Sequence, residues 1–306
     1  MECLPVETWS QIFLYACVDG GRTGCALSET CRYFRAAVLP VQMHSVALVG
    51  GHKAQAFVDV LENRAPEHRR VEHLFISQQG KGRPAFKPGV QQRLFELLAP
   101  TLRTFTSTLP QKSRVIDRAS ALAHPFPRLE ELTMHGYLFQ NVPPARGVQR
   151  QPFPALRRLH LLSSCDSTLQ IVRRSPGLTH LRLSGVWIMS DGLYDGIVRL
   201  LGVAHAPPSD EPRLLPETLE RLIVVLDGKI SRFYYGQNRE REDAFHHLKT
   251  LDKRKIFSLL ETKFAVHGIS SDTRGDWGER IVGKGGCWTV SGGKDLIARS
   301  GRPVEI

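Results

Sequence analysis

One phrase recurs through the middle of this chain and restricts its fold more than any other feature. A proline or short polar turn is followed by Leu-x-x-Leu-x-Leu or a close variant. The copies are Val71–Ile76, Leu102–Ser107, Leu129–Met134, Leu156–Leu161, Leu178–Leu183 and Leu219–Val224. Residues two apart share one face of an extended strand, so each copy predicts a short strand with a leucine face. A strand this short cannot bury that face alone and has to stack on its neighbours. Phe126-Pro127, Phe153-Pro154 and Ser175-Pro176 introduce three of the copies. First positions 102, 129 and 156 are 27 residues apart, while the flanking steps are 31, 22 and 41. Leu94–Ala99, Leu169–Arg173 and Leu193–Leu201 carry a helical period between strands. Gln79–Gly89 and Ala204–Leu215 read as exposed loops from their Gly, Pro and polar content.

The pattern resembles an irregular leucine-rich repeat lacking that repeat's usual Asn. It also fits an α/β domain of parallel strands without a true solenoid. Either way the fold class is α/β, with an array over residues 51–227. Alternation turns the residues between the leucines away from the core. Glu131, Thr133, Arg158, His160, His180, Arg182, Arg221 and Ile223 are therefore candidates for a target-binding surface. After position 227 the composition changes. Lys249–Thr262 reads as helical, and Gly275–Gly293 is glycine-dense around Trp277 and Trp288. Residues 228–306 are expected to cap the open end of the array. Phe257, Leu259, Leu260 and Phe264 would pack on the last repeat, and the two tryptophans would anchor the tail.

The first 50 residues form a separate module. Pro5 and Glu7 suit a first helical turn. Trp9, Ile12, Phe13 and Ala16 lie at i, i+3, i+4 and i+7 of one amphipathic face. Gly20, Gly21 and Gly24 break the helix, and Ala26, Leu27, Thr30, Cys31, Phe34 and Val38 continue the pattern on a second helix that stops at Pro40. Leu4, Pro5, Glu7, Trp9, Ile12 and Phe13, followed by Leu27, Ser28, Cys31, Arg32 and Phe34, make this stretch similar to an F-box. Val46-Ala47-Leu48, the stretch Ala54–Glu62 and Arg70–Ser77 look like the continuation in fungal, basidiomycete-type F-box proteins. Asp276-Trp277, Arg280 and Gly286-Cys287-Trp288 look like a C-terminal signature of the same proteins. The glycine-rich, basic break between the helices departs from the pattern.

The resemblance implies a substrate receptor of a Skp–cullin–F-box ubiquitin ligase. A helical hairpin would dock on the Skp-type linker subunit through Leu4, Pro5, Glu7, Trp9, Ile12, Phe13, Leu27, Cys31 and Phe34. The array would hold an unknown protein substrate. Without the resemblance, the same hairpin reads as a cap on the domain.

The remaining chemistry is sparse. No Cys-x-x-Cys, His-Glu-x-x-His or Gly-x-Ser-x-Gly spacing occurs, and adjacent His246-His247 diverge on a helix. Gly292-Gly293-Lys294 fails as a phosphate loop because Trp288 and Asp295 stand where a glycine and a hydroxyl are required. No cofactor, metal or catalytic set is expected, and the chain reads as a non-enzyme. Its net charge of +11 raises nucleic acid as a partner. The basic residues are scattered in small groups among acids, which argues against a dedicated site. No signal segment or membrane span is expected. Six cysteines without paired spacing fit a reducing cytoplasm or nucleus.

Overall fold

The structure, a computed structural model, describes residues 4–77, 87–108, 124–135, 153–162, 168–186, 197–198, 200–201, 215–227, 235–262 and 272–289. All six copies of the leucine phrase form strands: β2 (His73–Ser77), β3 (Thr104–Thr108), β4 (Glu131–His135), β5 (Arg158–Leu162), β6 (His180–Val186) and β7 (Arg221–Asp227). Two more strands flank them, β1 (Ser45–Val49) and β8 (Phe257–Thr262). The chain is thus α/β, with one eight-stranded parallel sheet whose strand order is the chain order. The sheet begins at Ser45, inside residues 1–50, and ends at Thr262, inside 228–306, so it runs across both the end of the helical module and the composition change at 227.

The register explains why uneven steps are tolerated. Leu74, Phe105, Leu132, Leu159, Leu181 and Leu222 form one row across the sheet. Differences in step length fall in the crossovers, and the pairing of β6 with β7 shifts register between Ser184 and Val186. This row and the next leucine row (Ile76, Met134, Leu161, Leu183, Val224) face one core. That core also holds Leu61 of α4 (Gly51–Glu62), Leu94, Phe95 and Leu98 of α5 (Pro88–Leu98), and Ile171 and Val172 of α6 (Thr168–Arg173). Each fully buried leucine contributes up to about 1.5–3 kcal/mol of transfer free energy, an upper bound for an extended reference chain.

The Phe-Pro phrase has a packing reason. Phe126 and Phe153 stack at 5.8 Å, and Phe126 meets Phe95 at 5.8 Å. In each case the phenylalanine carbonyl accepts from the first leucine of the phrase, Leu129 or Leu156. In the third copy Ser175 takes this place, its buried hydroxyl donating to the Ile171 carbonyl at 2.9 Å.

Two expectations about helices are corrected. The N-terminal module has three helices rather than a hairpin: α1 (Val6–Ala16), α2 (Arg22–Thr30) and α3 (Arg32–Val38). Cys31 is extended (φ −160°, ψ 168°) and caps α3, its Sγ accepting from the Phe34 N–H at 3.4 Å. Lys249–Thr262 is not one helix either. Helix α7 (Tyr235–Leu251) stops before Asp252, whose carboxylate accepts from the backbone of Arg254 and Phe257, and residues 257–262 pair with β7. Phe257 and Leu259 consequently face the main core and Leu260 the opposite face. The end of the sheet is thus closed by a strand with α7 against it, Phe245 stacking on Phe257. Phe264, residues 204–214 and most of Gln79–Gly89 lie outside the described residues. Of Leu193–Leu201, Ile197, Val198 and Leu200 are helical.

The glycine-rich break ties the helices to the sheet. Gly20, at φ +83°, gives its carbonyl to the Ala47 N–H of β1, and a Cβ there would sit 2.8 Å from the Ala47 Cβ. A Cβ on Gly24 would lie 2.2 Å from the Gln42 carbonyl oxygen, so only glycine permits this approach. Ser45 adds a buried link, donating to the Cys17 carbonyl (2.7 Å) while accepting from the Gly20 N–H (3.0 Å).

Candidate functional site

Two surfaces follow from this architecture. The first is the N-terminal helical unit. Trp9 and Phe13 of α1 meet Phe34 of α3 with ring centroids 4.8–5.4 Å apart, forming a small core with Cys17, Ala37 and Val38. The inward stripe of α1 is therefore Trp9 and Phe13, continued by Cys17 at the helix's C-terminal cap. Ile12 and Ala16, placed on that stripe by periodicity, are instead exposed. The rotation follows from α3, which takes the side of α1 carrying Ser10, whose hydroxyl donates to the Ala37 carbonyl at 2.7 Å.

Of the residues assigned to linker binding, Leu4, Pro5, Glu7, Ile12 and Cys31 are exposed, Trp9, Leu27 and Phe34 are half-buried, and Phe13 is buried. Three exposed apolar residues were not singled out from sequence: Val6, Tyr15 (81% exposed) and Tyr33. A period-3.6 count would have exposed Tyr15 once the stripe was centred on Phe13. Five of the seven large apolar residues exposed among those described, Leu4, Val6, Ile12, Tyr15 and Tyr33, belong to this one unit.

The second surface is the sheet face opposite the leucine core. Glu131, Thr133, His160, Arg182 and Ile223 do lie off the leucine rows, as alternation requires, but they are buried. The expected open surface is corrected here. The segment made of α8 (Asp272–Ile281) and the 3-10 turn Gly286–Trp288 packs across this face. Trp277 packs against Phe75 of β2 with ring centroids 5.6 Å apart and planes tilted by 44°. Arg280 donates to Glu131 of β4 at 2.9 Å, and the indole N–H of Trp288 donates to the same carboxylate at 3.1 Å. Arg182 of β6 donates to the Cys287 carbonyl and, through Nε, to Ser184 Oγ. His160 Nε2 and Ser184 Oγ share a hydrogen bond of 2.9 Å. Trp288 meets the His180 ring edge-on at 5.7 Å and joins Cys287, Ile223 and Val225 in a second apolar cluster.

The tryptophans do anchor the tail, but along the sheet face rather than at its open end. A buried carboxylate is tolerable because Arg280 and Trp288 satisfy it, with Arg158 3.6 Å away. Arg158, His180 and Arg221 are only half-buried, so this row at the strand entrances is the reachable remainder of the predicted target surface.

Thiol chemistry provides a direct check on both surfaces. Burial raises the Cys17 thiol pKa to about 11 and pushes that of Cys287 up further still, whereas Cys25 and Cys31 are exposed. Iodoacetamide on the native protein is expected to label Cys25 and Cys31 and to spare Cys17 and Cys287, as read by peptide mass spectrometry. Labelling of Cys287 as fast as Cys25 would mean that the C-terminal segment is not seated on the sheet.

The sequence matches no protein-family model and no curated protein. Among the described residues, no helix is long and apolar enough to cross a membrane.

Proposed function

We propose that this protein is a substrate-recognition adapter of a Skp–cullin–F-box ubiquitin ligase. In this reading the N-terminal three-helix unit docks on the Skp-type linker subunit. The leucine-rich-repeat-like sheet then presents a target protein to a separately recruited conjugating enzyme. The chain contributes proximity and orientation rather than a reactive group. It would act in the cytoplasm or nucleus.

The observation that carries the reading is the concentration of exposed apolar side chains on the helical unit, beside residues that resemble an F-box. The contacting residues are then Leu4, Ile12, Tyr15 and Tyr33. Trp9, Phe13 and Phe34 shape the unit from inside. Because the C-terminal segment covers Glu131, Thr133, His160 and Arg182, the target falls to the strand-entrance row with Arg158, His180 and Arg221.

The test is co-purification of the intact chain with a recombinant fungal Skp-type subunit, beside Ile12→Asp with Tyr15→Asp. Both residues are exposed, so the variant is expected to fold normally and to lose at least tenfold in linker affinity. Failure of the folded wild-type chain to bind would leave the second reading, a leucine-rich interaction protein without a ligase link. The complete internal core of the helical unit favours that alternative, since the unit could persist as a cap. Binding to nucleic acid would instead show as steep salt dependence.

A further inference from the structure

We propose that His44, Glu72 and His73 form a binding site for one zinc-type divalent cation at the junction of the helical unit and the sheet. One ligand atom from each residue lies within 4.8 Å of the others. The backbone holds them in place: the N–H groups of Glu72 and His73 both donate to the His44 carbonyl, each at 3.0 Å. The two imidazoles meet edge to face with centroids 4.8 Å apart. A tetrahedral ion with Zn–N and Zn–O bonds of about 2.0–2.1 Å needs ligand atoms about 3.4 Å apart. With His73 held by its neighbour, rotation of the His44 and Glu72 side chains would supply the remaining contraction, up to about 1.4 Å.

The surroundings prepare each ligand. His73 Nδ1 is 2.9 Å from Thr104 Oγ1 on the adjacent strand. With Nδ1–H donating to that hydroxyl, Nε2 keeps its lone pair for a metal, and the ring orientation is set from outside the ligand shell. Burial lowers the pKa of both histidines, His73 to about 4. Arg70 occupies Glu72 Oε1 at 2.5 Å, while Oε2 lies 3.7 Å from Arg103, beyond hydrogen-bond reach. A cation at this site would therefore compete with both arginines for the carboxylate.

Two nitrogens and one carboxylate oxygen suit Zn²⁺ better than Mg²⁺ or Ca²⁺, and three protein ligands leave a fourth position for water. The bound ion would cross-link the α3–β1 connection to β2. Arg70 and Arg103 oppose it by charge, which makes the arginine a diagnostic position.

The experiment uses the tag-free full chain, treated with chelator and titrated with Co²⁺ as a spectroscopic substitute and then with Zn²⁺. One equivalent should produce the visible absorption of tetrahedral Co²⁺, and Zn²⁺ should bleach it. His44→Ala and His73→Ala should each weaken Zn²⁺ binding at least tenfold, and Glu72→Gln severalfold. His52→Ala, an exposed histidine on α4, should leave it unchanged. Arg70→Ala should tighten binding severalfold, because a competing cation is removed. Zn²⁺ should also raise the melting temperature of the wild type and not of His73→Ala. Absence of one-equivalent binding by the folded chain, or equal affinity in His73→Ala, would overturn the proposal. Circular dichroism of each variant separates loss of ligand from loss of fold.

Discussion

Replacing Trp288 with alanine is expected to destabilise the protein by about 3–5 kcal/mol, the range for a large aromatic removed from a packed site. Trp288 is 4% exposed and seals the face of β4 to β7 together with Cys287. Its loss empties that cluster and removes one of the two donors that satisfy the buried Glu131 carboxylate. Trp288→Phe keeps most of the apolar contact and loses only the indole N–H, so a smaller cost of about 1–3 kcal/mol is expected. Chemical denaturation measures both, and iodoacetamide should now reach Cys287. An unchanged midpoint for Trp288→Ala would mean that the C-terminal segment does not cover the sheet in solution, and would return that face to the candidate target surfaces.

Phe13→Ala is expected to cost about 3–5 kcal/mol, felt chiefly in the helical unit. The ring lies between Trp9 and Phe34 and is 3% exposed. Ile12→Ala, one residue away and 44% exposed, should change stability by no more than about 0.5 kcal/mol. Hydrogen exchange of α1–α3 reads the difference. The contrast separates two ways of losing linker binding: Phe13 changes would act by loosening the unit, Ile12 changes by altering the docking surface alone. Equal destabilisation by the two substitutions would show that α1 is rotated from the position described.

Much of the fold was legible because the leucine phrase is local. Alternation over five or six residues determines a strand and its two faces wherever the partner strand lies, and all six copies became strands. The helix periods of residues 94–99 and 169–173 were readable on the same ground. Misreadings came where two local patterns competed. Phe257–Thr262 fits a helix or a strand equally well, and the unpaired edge of β7 decided the matter by offering a ladder of backbone hydrogen bonds. Cys31 fits a continuous helix until its Sγ is found capping the next one. In α1, the stripe could not be centred without knowing which side α3 would take.

The candidate sites divide in the same way. Residues on the non-leucine face could be named from alternation, but their burial could not. Arg280 and Trp288 lie 149 and 157 positions from the carboxylate they satisfy. The His44, Glu72 and His73 cluster has no ligand spacing in sequence, because it exists only where the approach to β1 meets β2. The amino-acid sequence by itself determined which segments extend, which coil and which faces are apolar, since these follow from side-chain period and backbone preference within a few residues. Only the tertiary structure decided which polar face stays in water and which side chains meet, because burial and electrostatic pairing depend on neighbours brought together from distant parts of the chain.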